Sequence, residues 1–366
     1  MSPASYQTAP PRVAARSIAP RDDNGHVRLG VGAALVDARL VPGDVEIDGG
    51  SIAAVGLAPA GRGIAAPGFL DLQVNGFDGV DFLDTDADGY RRADEALART
   101  GVTAYLPTFV TSPEDRLLAA LAALGHADPR GALGVHLEGP FISPARLGVH
   151  PADARRDPDL GLLKRLLVAA PVRLVTLAPE LPRAHELIRG LAEREIAVSL
   201  GHSDATAEEA SAAFDLGART VTHLFNAMRP LHHRDPGIAG AALARGDVVV
   251  QAIFDGVHLA PETEALVWRA TRGRLALVTD HTAVPGGRTE DGALAGSTTT
   301  MLESVRRLHA LGAPLEEALA AASSVPASII GERTAGRLGP GLPADIVVLD
   351  DALELRRVLV GGEDVL

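Results

Sequence analysis

The chain has 366 residues, of which 46% are hydrophobic and only 3% aromatic, and its formal net charge is −13. This acidic balance, without basic runs, predicts that neither nucleic acid nor an anionic membrane is a partner. Because there are no cysteines, disulfides, thiolate nucleophiles and cysteine-ligated zinc are excluded, which leaves His, Asp and Glu as candidate metal ligands.

The N-terminal segment, residues 1–24, carries several prolines and no apolar periodicity, so we expect a flexible leader there. Its first part lacks the continuous apolar core of a signal peptide or a membrane anchor. We therefore expect a cytoplasmic protein.

Short apolar stretches after this segment, at residues 33–36, 45–47 and 52–55, are separated by Gly, Pro and Asp and indicate short strands. A similar stretch, residues 344–349, recurs near the C-terminus. We predict that residues 25–66 and 337–366 together form a small β-sandwich module built from the two flanks.

Between the flanks, eight short apolar runs are typical of buried parallel strands. They are residues 69–74, 103–109, 133–137, 174–178, 197–200, 220–224, 248–254 and 275–279. Nearly all are followed by a helical pattern; after the second run, Ser112 as N-cap and Pro113 as first helical residue predict a helix that includes residues 117–124.

Eight β–α units predict an α/β fold, a TIM-like (β/α)8 barrel over residues 67–336. The alternative is an open doubly wound sheet, which also gathers polar residues at the carboxyl ends of its strands. No glycine-rich phosphate-binding motif follows the first strand, which favours the barrel.

Three residues of metal-ligating type follow the third, fifth and sixth strands: Glu138, His202 and His223. The rim residues of a barrel converge toward one axis, so we expect these side chains to meet. Two neutral imidazoles and one carboxylate leave an open position for water, as a catalytic zinc site requires. We predict one divalent metal ion per subunit, with Zn²⁺ as first choice and Fe²⁺, Mn²⁺ or Co²⁺ as alternatives.

Asp280 follows the eighth strand and is the leading candidate for proton transfer. A carboxylate there takes a proton from metal-bound water and returns it to a leaving nitrogen. The alternatives are that Asp280 is a further metal ligand or caps the next loop.

The first strand presents Gln73 and Asn75 where a binuclear site usually has a His-x-His pair. The single lysine, Lys164, falls in a predicted helix and cannot supply the carboxylated lysine that often bridges two ions. Amides ligate transition metals weakly, so a second ion at this uncertain site is not expected.

A basic loop follows His223 and supplies Arg229, His232, His233 and Arg234. Arginine forks suit phosphate, so the loop is a candidate anion site, and the alternative is a simply solvated basic loop.

Eight blocks occur in an order that resembles the N-acetylglucosamine-6-phosphate deacetylase family of the amidohydrolase superfamily, over roughly residues 45–349. They are residues 67–76 (PGFLDLQVNG), 136–141 (HLEGPF), 200–203 (LGHS), 222–228 (THLFNAM), 234–237 (RDPG), 255–258 (DGVH), 278–280 (VTD) and 294–297 (LAGS). Gln73 and Asn75 resemble the branch of this family whose first strand lacks the histidine pair, a one-metal enzyme.

The resemblance implies hydrolysis of the N-acetyl group of N-acetylglucosamine-6-phosphate by a metal-bound hydroxide, giving glucosamine-6-phosphate and acetate in amino-sugar catabolism and recycling. It implies Glu138, His202 and His223 as metal ligands, Asp280 as general acid and base, and His150 as the residue that polarises the acetyl carbonyl.

The resemblance also implies contacts to a phosphorylated amino sugar. The implied contact residues are Val149, His150, Asn226, Ala227, Arg234, Asp255, His258, Leu294, Ala295 and Gly296. Arg234 and His258 are implied to contact the phosphate, Arg234 across a dimer interface, so a homodimer is expected.

One departure from the family is the short segment after Asp280, residues 283–292, which lacks the longer hairpin usual in the family. The identity of the sugar substrate is therefore not fixed by the resemblance. The alternatives are a related amidohydrolase that acts on another N-acylated sugar, such as N-acetylgalactosamine-6-phosphate, and a catalytically silent barrel that binds sugar phosphates.

Overall fold

The computed structural model of the chain describes residues 26–366, so the predicted leader, residues 1–24, lies outside the described residues. The strands are β1 (Val27–Arg28), β2 (Ala33–Val36), β3 (Arg39–Pro42), β4 (Asp44–Asp48), β5 (Ser51–Leu57), β6 (Ile64–Pro67), β7 (Phe69–Val74), β8 (Gly76–Phe77), β9 (Val80–Asp81), β10 (Val102–Val110), β11 (Val135–Glu138), β12 (Val172–Leu177), β13 (Ala197–Leu200), β14 (Thr220–Val221), β15 (Val249–Ala252), β16 (Leu275–Leu277), β17 (Ile346–Leu349), β18 (Leu355–Val360) and β19 (Glu363–Asp364). The helices are α1 (Ala87–Arg99), α2 (Glu114–Ala127), α3 (Leu160–Ala169), α4 (Ala184–Ala192), α5 (Ala207–Asp215), α6 (Gly237–Ala244), α7 (Pro261–Ala270), α8 (Met301–Ala310), α9 (Leu315–Ala321) and α10 (Ser324–Ile329).

The central sheet consists of eight parallel strands, β7 and β10 to β16, which neighbour one another in chain order. Its first and last strands meet where the backbone and hydroxyl of Thr279 donate hydrogen bonds to the Asp71 carboxylate, and Val74 and His281 form a parallel bridge. Helices alternate with these strands and cover the sheet. The predicted (β/α)8 barrel is confirmed.

Asp71 is fully buried at this closure. Burial raises the pKa of its carboxyl to about 7, against the opposing effect of the hydrogen bonds from Thr279 and from the Gln73 backbone. The hydrogen-bonded carboxyl therefore joins strands that do not form an extended ladder with each other.

The barrel interior is a packed core at the end where the strands begin. Leu70, Leu72 and Leu106 project inward, and Ile329 and Ile330 at the end of α10 cover them from below. These side chains close the interior at this end, and the cluster of Glu138, His202 and His223 lies at the other, where the strands finish.

Helix α2 begins later than its sequence predicts. Pro113 occupies the N-cap position and not the first helical position, and no side chain caps the helix. Ser112 thus precedes the cap, because Pro113 retains an extended ψ of 143° and the first helical residue is Glu114.

The flanks form two facing sheets, one of order β1-β4-β5 and the other of order β19-β18-β17-β6-β2-β3. Val45, Ile52, Ile346 and Leu359 pack between them. This confirms a small β-sandwich built from both ends of the chain, while the division into units at residues 66 and 337 stays a prediction. Across residues 26–366, no helix combines the length and the apolarity needed to span a bilayer.

Candidate metal centre and substrate cavity

Glu138, His202 and His223 meet at the carboxyl-terminal mouth of the barrel. Glu138 ends β11, and the two histidines lie just after β13 and β14. Oε1 of Glu138 is 3.1 Å from Nε2 of His202 and 2.9 Å from Nε2 of His223, and all three side chains are buried. One ligand atom from each residue lies within 4.8 Å of the others, so the predicted cluster exists as a geometric unit.

The donor set of this cluster fits a cation. Nδ1 of His202 lies 3.0 Å from the carbonyl oxygen of Arg146, and because a carbonyl only accepts, Nδ1 carries the proton. In the neutral ring Nε2 is then a lone-pair acceptor, and it faces a carboxylate oxygen that is also an acceptor. Two acceptors at 3.1 Å need a positive charge between them, which either a second ring proton or a shared divalent ion supplies.

The electrostatics point the same way when a second ring proton, and not an ion, lies between these groups. Burial alone would raise the pKa of Glu138, but hydrogen bonds and charge from His202 and His223 hold it well below its usual range. Burial would lower the pKa of His223, but the hydrogen bond and charge of Glu138 raise it. The site therefore contains a fixed negative charge enclosed by imidazoles, which is suited to a cation.

The backbone at these positions is strained. The φ angles of His202, His223 and Asp280 are 47°, 28° and 51°, in the left-handed region that residues other than glycine rarely occupy. Such conformations cost of order 1–3 kcal/mol each and occur mainly at functional sites. The turn after each strand thus directs a polar side chain across the barrel mouth.

Asp280 lies beside the cluster and is held by the side-chain amides of Gln73, in β7, and of Asn75, just after β7. Its Oδ1 accepts hydrogen bonds from Nδ2 of Asn75 at 2.7 Å and from Nε2 of Gln73 at 3.0 Å. Gln73 also donates to Oε1 of Glu138 at 3.1 Å and so bridges the two carboxylates. Burial, and then the charge of Glu138, raise the pKa of Asp280 to about 6, which suits proton exchange near neutrality.

His150 approaches from the loop after β11. Its Nε2 is 3.8 Å from Oε2 of Glu138, and its Nδ1 is 2.9 Å from Oγ1 of Thr111. Burial lowers the pKa of His150 to about 3, so the ring is neutral at pH 7. A neutral imidazole can polarise a carbonyl only through the nitrogen that carries its proton.

A cavity of about 170 Å³ opens over the cluster. Most of the predicted substrate-contacting residues line it: Val149, His150, Asn226, Ala227, His258, Leu294, Ala295 and Gly296, together with Asn75 and Asp280. Gln73 is not among the lining residues and lies behind Asp280.

Asp255 and Arg234 are the predicted contact residues that do not line this cavity. The Asp255 carboxylate accepts from Nδ1 of His258 at 2.7 Å and so orients that ring. Arg234 is exposed in the loop after His223, where it contacts His233. Arg229 in the same loop is paired with Asp235 at 2.6 Å, so it is not free for a ligand.

Three residues around the cluster and His150 are not predicted from the sequence. His136 is buried beneath the cluster between Thr108 and Thr176, with its pKa lowered to about 4 by burial. Thr111 and Arg146 orient His150 and His202. His136 stands two residues before Glu138 on the same strand face, and this period-two spacing was the available signal.

Comparison with known proteins gives a consistent result. A model of the amidohydrolase family matches residues 64–365. Human N-acetylglucosamine-6-phosphate deacetylase is 40% identical over 341 residues, which cover 83% of this chain and 83% of the human protein. N-acetylgalactosamine-6-phosphate deacetylase of Escherichia coli O157:H7 is 34% identical over 328 residues, with 82% of this chain and 87% of that protein covered.

Among solved structures, an aspartate-to-alanine mutant of N-acetyl-D-glucosamine-6-phosphate deacetylase from Mycobacterium smegmatis, in complex with N-acetyl-D-glucosamine-6-phosphate, superposes with a TM-score of 0.87. It is 34% identical to this chain and covers 93% of it, and 99% of that chain is matched. The resemblance thus extends over the whole barrel and most of the β-module.

Proposed function

The chain belongs to the amidohydrolase family and, within it, to the N-acetylglucosamine-6-phosphate deacetylases, and on that premise we propose that it hydrolyses the acetamide of N-acetylglucosamine-6-phosphate to glucosamine-6-phosphate and acetate. The observation that carries the proposal is the cluster of Glu138, His202 and His223 beside Asp280. A catalytically silent barrel that only binds sugar phosphates would not need a buried carboxylate and two imidazoles placed to hold a cation beside Asp280.

One divalent ion, with Zn²⁺ as first choice, is held by Glu138, His202 and His223 in this proposal. When bound it is a Lewis acid that polarises the acetyl carbonyl and acidifies water. Gln73 and Asn75 turn amide N–H groups toward Asp280, and because amide oxygens ligate transition metals weakly, no second ion is proposed there.

In this proposal, protein side chains carry out proton transfer, carbonyl polarisation and phosphate binding. Asp280 accepts a proton from the attacking water and delivers it to the sugar nitrogen as the C–N bond breaks. Neutral His150 donates a hydrogen bond from Nε2 to the acetyl oxygen as negative charge develops there. His258, oriented by Asp255, contacts the phosphate.

The test is a substrate panel that follows acetate release with N-acetylglucosamine-6-phosphate, its galactose epimer and unphosphorylated N-acetylglucosamine. We expect the glucose epimer to have the highest kcat/KM and the unphosphorylated sugar to lose about 100-fold or more, because charge-assisted contacts to phosphate are absent. The galactose epimer is the second candidate, because a relative 34% identical is named for that substrate. A higher kcat/KM for that epimer would reassign the sugar and leave the reaction unchanged.

Thr111 is expected to set the proton position on His150. Its hydroxyl has one proton and lies 2.9 Å from Nδ1 of His150 and 3.3 Å from the carbonyl of Glu138. The contact to Nδ1 is the shorter of the two, and when Thr111 donates there and not to the Glu138 carbonyl, the neutral ring carries its proton on Nε2, the atom proposed to meet the acetyl oxygen. Thr111→Val removes this donor, so we expect kcat to fall about 10- to 100-fold with little change in KM.

The matched control is Thr111→Ser, which retains the hydroxyl and should keep kcat within a few-fold of the original. Nitrogen NMR of labelled histidine should show the proton of His150 moving from Nε2 to Nδ1 in the valine variant alone. Wild-type kcat in Thr111→Val would contradict this role for Thr111.

A homodimer with Arg234 acting across the interface is also part of the proposal. Arg234 is exposed and lines no part of its own chain's cavity, and Leu231 in the same loop exposes 46% of its surface. An exposed apolar side chain beside a phosphate-binding arginine suits a surface that a second copy covers.

Subunit mixing tests this arrangement. Arg234→Gln and Asp280→Asn homodimers are each expected to be nearly inactive. Mixing equal amounts under exchange should restore about one quarter of wild-type activity, because half of the dimers are mixed and each contains one intact site. Absence of restoration, with heterodimers demonstrated by mass spectrometry, would place Arg234 in its own subunit's site or in none.

A further inference from the structure

A second, larger cavity lies at the opposite end of the barrel from the metal cluster. We call it the basal cavity; its volume is about 600 Å³. Its walls come from the starts of β12 and β13, from the end of α4 and the segment before β13, from the residue before β14, and from the end of α10 with the segment after it. Since these strands are parallel, their starts lie at the end remote from His202 and His223, which follow β13 and β14.

The basal cavity is cationic in a chain whose net charge is −13. Four arginines line it: Arg173, Arg194, Arg219 and Arg333. Among the residues that the structure describes, the one acidic lining residue is Glu195, and Glu332 lies 3.8 Å from Arg173. The guanidinium groups therefore outnumber the carboxylates, which creates a local positive potential that favours an anion.

Two of these arginines are already engaged. Arg173 donates to the carbonyl of Ile330 at 2.8 Å, and Arg194 donates to the carbonyl of Gly190 at the end of α4. These contacts hold the wall in place and fix two positive charges beside the cavity.

Arg219 and Arg333 differ from Arg173 and Arg194 in their contacts. Within residues 26–366, neither guanidinium has a hydrogen bond or an ion pair. Each presents a planar fork of N–H donors, the geometry that binds phosphate oxygens in pairs. Two free forks on one concave surface are therefore suited to a dianionic phosphate.

The remaining wall is mainly apolar and buried. Val172, Ala197, Ile329 and Ile330 line the cavity, and each is buried at the base of the barrel core. A cavity of this volume is within the range that holds a small organic ligand and exceeds the need of a bare anion. The ligand should thus combine a phosphate with a ring or other partly apolar body.

We propose that the basal cavity binds a small phosphate monoester, with its phosphate on Arg219 and Arg333 and its organic body against Ile329 and Ile330. This site is separate from the metal cluster, and its existence does not depend on the hydrolase assignment.

The test is calorimetric titration of the intact protein with phenyl phosphate, and with phenol as the uncharged control. We expect saturable binding of phenyl phosphate and none of phenol. Arg219→Gln with Arg333→Gln should weaken that binding about tenfold or more, because two charge-assisted donor groups are lost. Arg92→Gln with Arg99→Gln is the matched control, since these exposed arginines of α1 carry the same charge change away from the cavity.

The Arg234→Gln variant distinguishes binding in the basal cavity from binding at the active site. It should still bind phenyl phosphate in the basal cavity. Arg219→Lys with Arg333→Lys keeps the charge but not the fork and should restore part of the affinity. Unchanged affinity in the double glutamine variant, loss of binding in Arg234→Gln alone, or no saturable binding by the original protein would each overturn the proposal. Turnover of the double glutamine variant should equal that of the original protein, which shows that it is folded.

Discussion

Asp280→Asn should lower kcat by about three orders of magnitude while the metal content of the protein stays the same. The substitution preserves the shape of the side chain, and an amide oxygen can still accept from Gln73 and Asn75, as Oδ1 of Asp280 does at 3.0 and 2.7 Å. What the variant loses is the ability to take up and return a proton. The readouts are acetate release at saturating substrate and metal content by mass spectrometry.

The control for this variant is Asp88→Asn, an exposed aspartate in the first turn of α1, which should behave as the original protein. Two outcomes would change the assignment of Asp280. Turnover within a few-fold of the original would remove it from proton transfer, and loss of the metal would make it a ligand, the alternative that the sequence leaves open.

The strand-end positions explain why much of this site could be predicted. Glu138, His202 and His223 are distant along the chain, but each lies at or near the end of a short apolar run, and parallel strands in a closed barrel bring such positions together. The closure of the barrel was harder to predict from the sequence. It depends on Asp71 and Thr279, whose contact across the first and last strands has no local sequence signal.

Side chains that orient the cluster were harder to predict, because loop conformation decides their partners. The Arg146 carbonyl meets His202 only because the loop after β11 folds back over the barrel mouth. His150 was found through family resemblance and not through residue patterns, for the same reason. From the sequence, Gln73 is predicted to be a poor metal ligand, whereas its structural role is to join the carboxylates of Glu138 and Asp280.

His202→Ala should abolish stoichiometric metal binding and lower kcat/KM by about 10³-fold or more, since the Lewis acid contributes several kcal/mol to transition-state stabilisation. The remaining pair, Glu138 and His223, 2.9 Å apart, offers two ligand atoms where a catalytic site needs three. Metal content and acetate release are the measurements. His185→Ala, an exposed histidine of α4, is the matched control and should leave both unchanged.

Thermal unfolding with and without chelator separates metal loss from misfolding. A ligand that binds only the folded state raises the melting temperature by mass action, so chelation should lower it in the original protein and leave it unchanged in His202→Ala. If the alanine variant kept a full equivalent of metal, or if chelation left the original protein's melting temperature and activity unchanged, a cation at this cluster would not be the basis of catalysis.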